Sequence, residues 1–206
     1  MKRLAGLLLL SAGVLVAQAQ EPLRFRGGLY AGVCASQIHG DGVSGFDKFG
    51  LTAGPLLEIS RGDVAWEWGM LYTQKGSRKV PNPKAGDYTT WKYRFTYLDI
   101  PVVRVWHPAD WWWFGVGVQP SVLLSAEEDF YSTGYSPLTT PVLRSVDVGV
   151  LALVGVTYTD ALTFELRMSQ SAVPISDRPD APVMRWDNFL MNMALQLGLK
   201  VQFGSN

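Results

Sequence analysis

Apolar residues recur at every second position along almost the whole chain. The last such stretch, residues 189–203, carries Phe189, Met191, Met193, Leu195, Leu197, Leu199, Val201 and Phe203 on one parity. From Asn192 onward the other parity holds Asn192, Ala194, Gln196, Gly198, Lys200 and Gln202. A period of two marks a strand with unlike faces. Similar alternation near 25–37, 48–59, 64–76, 92–105, 111–124, 145–158 and 162–171 makes eight strands in all. No amphipathic helical stretch interrupts them, so the expectation is one all-β domain without a linker.

Alternation does not say which face meets water; side-chain size does. One face of each strand is bulky, as in Trp66, Trp68, Met70 and Tyr72, or Val146, Val148, Val150, Ala152, Val154 and Val156. The opposite faces collect glycines such as Gly50, Gly54, Gly115, Gly149 and Gly198 together with charged residues. The bore of an eight-stranded barrel is only just wide enough to be filled by side chains. A ring of Trp, Phe, Met and Leu would overfill it, whereas glycines mixed with charges fit. Bulky faces outward is the arrangement of a transmembrane barrel. A soluble, lipocalin-like barrel is the alternative, and it would set glycine on solvated strand faces, where it weakens the strand without packing anything.

The connections are sorted by length. Short links at 60–64, 106–110 and 159–161 alternate with long ones at about 38–47, 77–91, 125–144 and 172–187. Short periplasmic turns and longer external loops are the known asymmetry of an up-and-down antiparallel outer-membrane barrel. Aromatic residues fall near the two presumed interfaces: Trp66, Trp68, Trp106, Trp111, Trp112, Trp113, Tyr158 and Phe203 at the short-turn end, and Tyr72, Trp91, Tyr93, Trp186 and Phe189 at the other. Their amphipathic rings suit the headgroup level of the lipid bilayer. Pro55, Pro101 and Pro120 lie inside strands, where each removes a ladder donor; bulges are expected there, with a flip of phase beyond them.

The N-terminus reads as an export signal. Lys2 and Arg3 precede an apolar run from Leu4 to Val16, and Ala17-Gln18-Ala19 is a small-x-small cleavage site. Residues 1–19 are therefore expected to be removed, leaving 20–206 as the barrel domain. The run is shorter than a spanning helix needs. The whole chain carries 18 basic and 18 acidic residues, a balance with no footprint for nucleic acid. Cys34 is the single cysteine, so no internal disulfide forms.

The small faces carry acids Glu58, Glu67, Asp99, Asp147 and Glu165 and bases Arg26, Lys75, Arg94, Arg167 and Lys200. Near-balanced signs suit a salt-bridge network plugging a narrow lumen, because an unpaired buried charge is costly; a charged path through a narrow porin-like channel is the other reading. Catalysis has little support. His39 has Ser36, Asp41 and Ser44 nearby in sequence, but such close spacing rarely supplies a triad. His107 sits in a turn sequence, and no spacing suggests a zinc site or any cofactor. A lipid-modifying outer-membrane enzyme is the remote third class. The leading expectation is a structural or interaction barrel whose external loops meet a protein or glycan ligand.

Several stretches in order, "GLYAGVCASQIHGDGVSGFDKFGLTAGPLLEI" at 28–59, "YTQKGSRK" at 72–79, "YLDIPVVRV" at 97–105 and "GVGVQPSVLL" at 115–124, resemble the PorT-type outer-membrane β-barrel family. The resemblance implies a small exported barrel in the outer membrane; some relatives are linked to protein secretion and gliding, and most have no known role. Separately, a C-terminal strand ending in an aromatic resembles the recognition signal read by the outer-membrane insertion machinery; Phe203 fits that role, although Gly204, Ser205 and Asn206 follow it.

Overall fold

A computed structural model describes residues 22–62, 64–177 and 189–204. The expected signal peptide at 1–19, Trp186 and the last two residues lie outside them. Twelve strands form, in chain order: β1 (Arg24–His39), β2 (Lys48–Arg61), β3 (Val64–Gly69), β4 (Leu71–Lys79), β5 (Trp91–Asp99), β6 (Val102–Ala109), β7 (Trp112–Phe130), β8 (Ser136–Pro137), β9 (Val146–Thr159), β10 (Leu162–Ser171), β11 (Ser176–Asp177) and β12 (Phe189–Phe203). β3 and β4 continue one another, as do β5 and β6, and β8 and β11 are two-residue additions in the long loops. The wall therefore has eight antiparallel strands, each paired with its sequence neighbour, and β1 pairs with both β2 and β12 to close the ring.

The closure has a stagger. Paired residues lead from Gly27 through Leu57, Trp68, Val102, Val118, Val150, Gln170 and Met193 back to β1 at Gln37, ten residues from the start. A shear of this kind tilts the strands against the barrel axis and fixes a narrow bore. Every residue on that path stands on the outward parity, so one lipid-facing row spirals round the wall.

Alternation is realised as burial. In β9 the even residues are exposed and the odd residues Asp147, Gly149, Leu151, Leu153 and Gly155 are buried. β12 buries Gln196 and Lys200 and exposes Leu195, Leu197, Leu199 and Val201. Bulky outward faces follow from the solvent they meet: in hydrocarbon every backbone polar group must be paired within the wall, and a closed sheet does this with no edge.

The expected bulges at the three strand prolines do not occur. β2 keeps one register against β3 and β4, and β5 and β6 keep one register against β7 across Pro101. The prolines act as acceptors instead: Met70 N donates to Pro55 O at 3.1 Å, Gly69 N to Pro101 O at 3.1 Å and Ile100 N to Pro120 O at 2.7 Å. The cost is confined to short breaks at Met70 and at Ile100–Pro101. Phase is preserved, so Val103 and Val105 face inward and Arg104 faces out, its guanidinium 5.3 Å from the Trp106 ring and 5.9 Å from that of Trp66. Register shifts lie elsewhere, opposite Thr96–Tyr97 and close to the two turns after Trp106 and before Thr163.

Candidate functional site

The bore is occupied at three levels. Toward the short turns, Arg167 on β10 reaches the opposite side of the ring and donates from Nη2 to Glu67 Oε1 on β3 at 2.6 Å. The same nitrogen meets Glu165 at 3.0 Å. Lys200 on β12 crosses to Glu67 Oε2 at 2.9 Å and lies 3.9 Å from Glu58. Aromatic faces cover both cations: Arg167 stands 4.5 Å from the Tyr30 ring centroid and Lys200 3.9 Å from that of Trp113. Cation–π attraction strengthens when the pair is dry. The rings have room because glycines oppose them. A β-carbon on Gly155 would meet Trp113 at 2.3 Å, and one on Gly198 would meet Tyr30 at 2.8 Å.

Midway, Lys75 donates to Asp99 at 2.8 Å, and Ser121 Oγ donates to the same carboxylate oxygen at 2.6 Å. Asp147 accepts from Ser171 Oγ at 2.7 Å and from Asn192 Nδ2 at 3.0 Å, and Asn192 also reaches the Tyr97 hydroxyl on the opposite wall at 3.2 Å. Only about 10 Å³ stays open there, between Lys75, Gln119, Asp147 and Asn192.

Toward the long loops the bore turns apolar. Ile38, Phe95, Tyr97, Ile175 and Leu190 pack together, with Leu123, Leu138 and Leu143 against them. Leu138 and Leu143 of the third long loop and Ile175, in the described start of the fourth, supply part of this cap. Arg144 N donates to Ile175 O at 2.7 Å, Ile175 N to Leu190 O at 2.8 Å and Ser176 Oγ to Val142 O at 2.8 Å. Below the charges, a vestibule of about 970 Å³ opens at the short-turn end, lined by Arg24, Arg26, Glu58, His107 and Asp160 among others.

The sequence-expected residues distribute as follows. Glu58, Glu67, Asp99, Asp147, Glu165, Lys75, Arg167 and Lys200 are buried on the inner face, and Arg26 lines the vestibule. Arg94 does not join them. β5 is regular, so period two sets Arg94 opposite in facing to Asp99; it lies on the outer wall, where Nε donates to Glu127 at 2.6 Å and the guanidinium stacks 3.8 Å over Tyr135. Trp91, expected at an interface, shares the inward parity of Phe95 and lies against Tyr93, the two rings tilted by 45° with centroids 4.7 Å apart. Trp113 is buried inside, not placed in the girdle. Trp66, Trp68, Tyr72, Tyr158 and Phe203 are exposed on the outer wall; Trp106 and Trp112 each lie near Phe114, at 5.4 and 5.9 Å, and Phe189 is half-buried.

No catalytic set converges around His39. Ser36 points inward and donates to Gly76 O at 3.0 Å, while His39 is exposed on the other parity, and Asp41 accepts from Val43 N at 2.9 Å. Among the described residues no group of three His, Cys, Asp or Glu side chains is placed to hold a metal ion. The inward apolar patch of Ala65, Val103, Val105, Trp113, Leu151 and Leu153 was not expected. Its signal is present in residues 151–154, where alternation dissolves into Leu-Ala-Leu-Val.

Several solved structures share this architecture. Ail of Yersinia pestis, solved with the heparin analogue sucrose octasulfate, is 10% identical, with a TM-score of 0.50 over 87% of this chain and 99% of its own. Neisserial surface protein A is 14% identical, with a TM-score of 0.48 over 89% and 100%. OprG of Pseudomonas aeruginosa is 12% identical, with a TM-score of 0.38 over 90% and 98%. No curated protein sequence matches the chain. The family model described as "Outer membrane protein beta-barrel domain" matches residues 16–175, well over half of the sequence. With a closed eight-stranded ring, outward apolar faces and that match, the chain belongs to the outer-membrane protein β-barrel domain family.

Proposed function

We propose that this outer-membrane barrel is a structural or interaction protein that works through its external loops and conducts no steady ion current. The observation that carries the reading is the Arg167–Glu67 bridge, 2.6 Å long between opposite walls, with Lys200 on the same carboxylate. A bore spanned by paired charges and capped by Ile38, Phe95 and Ile175 supports a path closed to steady ion flow. This supports a loop-working barrel over a narrow porin-like channel, and the separation of Ser36 from His39 argues against a lipid-modifying enzyme. The ligand of the loops is an external protein or glycan. Kinship with PorT-type barrels rests on "YLDIP" at 97–101 and "QKG" at 74–76. Removal of residues 1–19 on export and recognition of Phe203 by the insertion machinery belong to the same proposal.

Planar-bilayer recording of the purified, folded protein tests it. The expected trace has no stable open level. A reproducible ion-selective conductance that changes with Glu67→Gln or Lys200→Gln would establish the channel instead.

A further inference from the structure

On the outer wall, above the last lipid-facing apolar residues, strands β2, β4 and β5 form a shallow cleft of about 280 Å³. Phe49, Gln74, Arg78, Lys92, Arg94 and Tyr135 line it, with Lys48 and Asp47 at one end. Its cations are set by register. Arg78 and Lys92 are directly opposed cross-strand partners, and Arg94 lies two residues along β5 on the same outward face. Like charges directly opposed across two strands repel one another and destabilise the pairing. The neighbouring strand β7 answers only from one side: Lys92 lies 3.7 Å from Asp129 and Arg94 pairs with Glu127. Among the described residues Arg78 has no ion pair, and the buried Lys48 ammonium donates to a backbone carbonyl, Phe49 O, at 2.7 Å. Asp47 is the one acid lining the cleft.

The position of these charges names their partner. Phe49, 70% exposed, stands level with Arg94 and one outward residue below Arg78 and Lys92, and Tyr72 continues the wall three outward residues below Arg78. An anion held between Arg78 and Lys92 therefore sits at headgroup height beside hydrocarbon. Basic residues at this level recognise anionic lipid heads. We propose that this cleft seats the phosphate-bearing headgroup of an outer-leaflet lipid, with Arg78, Lys92 and the free edge of Arg94 on the phosphate and the acyl chains running down over Phe49 and Tyr72. The inference rests on the long loops facing outward, and it is independent of whether the bore conducts.

The test uses the full chain folded in detergent, loaded with phosphorylated lipid A or its enzymatically dephosphorylated form. Retained lipid is counted by native mass spectrometry, with unshifted migration of the unboiled barrel as the control for folding. The expected result is at least fivefold greater retention of the phosphorylated lipid. That preference should be lost in Arg78→Gln/Lys92→Gln and kept in Lys79→Gln, whose partner Asp87 lies outside the cleft. Should the double variant fail to fold, Arg78→Gln alone, on an exposed side chain, must lower the preference at least threefold. Equal retention of both lipids, or an undiminished preference in the folded variant, overturns the proposal. So does full displacement of the lipid by millimolar inorganic phosphate, which would make this a simple anion site. Tighter binding of a sulfated oligosaccharide than of the lipid would overturn it in favour of a soluble glycan.

Discussion

The indole of Trp113 lies in the space that a β-carbon on Gly155 would fill, 2.3 Å from its ideal position. The glycine is therefore one half of the device that lays an aromatic face on Lys200. Gly155→Ala should push the ring off its seat and destabilise the barrel by about 1–3 kcal/mol, as overpacking does. Gly27→Ala, where nothing lies within 4 Å, should stay within about 0.5 kcal/mol. Urea unfolding from lipid vesicles measures both; equal effects would show that Trp113 is free to move.

Arg167 serves two carboxylates, so its loss strands Glu165 and leaves Glu67 to Lys200 alone. Arg167→Met should cost about 3–5 kcal/mol, the range for breaking a buried pair. Glu165→Gln should cost less, because Glu67 still holds the guanidinium. A double variant, Arg167→Met/Glu165→Gln, should be less damaging than the sum of the two. Additive losses in this cycle would mean that the groups do not share one network.

Leu195 and Gln196 are adjacent, one outward and one inward. Leu195→Arg sets a charge in hydrocarbon and should cost about 2–4 kcal/mol. Gln196→Arg places its charge in the polar bore and removes an amide oxygen that has no hydrogen-bond partner among the described residues, so it should cost less. Folding yields into vesicles compare the two; equal tolerance would contradict the facing of β12.

Of the three levels, the outer cap and the Arg167–Glu67 bridge close the bore on either side of the polar middle, and this gives a specific pattern of conductance. Ile175→Asp loosens the outer cap but leaves the Arg167–Glu67 bridge, and Glu67→Gln does the reverse. Neither should open the bore alone, while the double variant should show transient current in planar bilayers. Current from a single variant would show that one of the two closures is leaky.

In the second long loop, two hydrogen bonds from Thr89, assisted by Lys79, hold the exposed Asp87 carboxyl below the usual range. A carboxylate with a depressed pKa contributes order that is complete above its unfolded value of about 3.9 and is lost as pH falls through the folded value. Exchange of the Thr89 amide should accelerate only in strong acid. Acceleration already at pH 6 would assign the loop's order to other contacts.

The wall of this molecule was legible from sequence because period two and the sorting of loop lengths report directly on two solvents. Its contents were less so. Parity placed Glu67, Arg167 and Lys200 inside but says nothing of height, which depends on the ten-residue stagger. Arg94 was misplaced because charge was allowed to override the parity that Asp99 had already set on the same strand. Val103, Leu151 and Leu153 were invisible as lumen residues because an apolar side chain looks the same whether lipid or a Trp113 ring covers it. The outer cap draws on Ile175 and Leu143, loop residues with no periodicity to read.

The pairing of β1 with β12 ties the first described strand to the last. No intermediate length of this chain has both edges satisfied: a product halted anywhere before residue 189 carries two open strand edges and lipid-facing surface. Completion of the barrel is thus a single late event. A ribosome that stalls early, or a protease that trims the final strand, leaves a fragment whose open edges no partial ring can shelter.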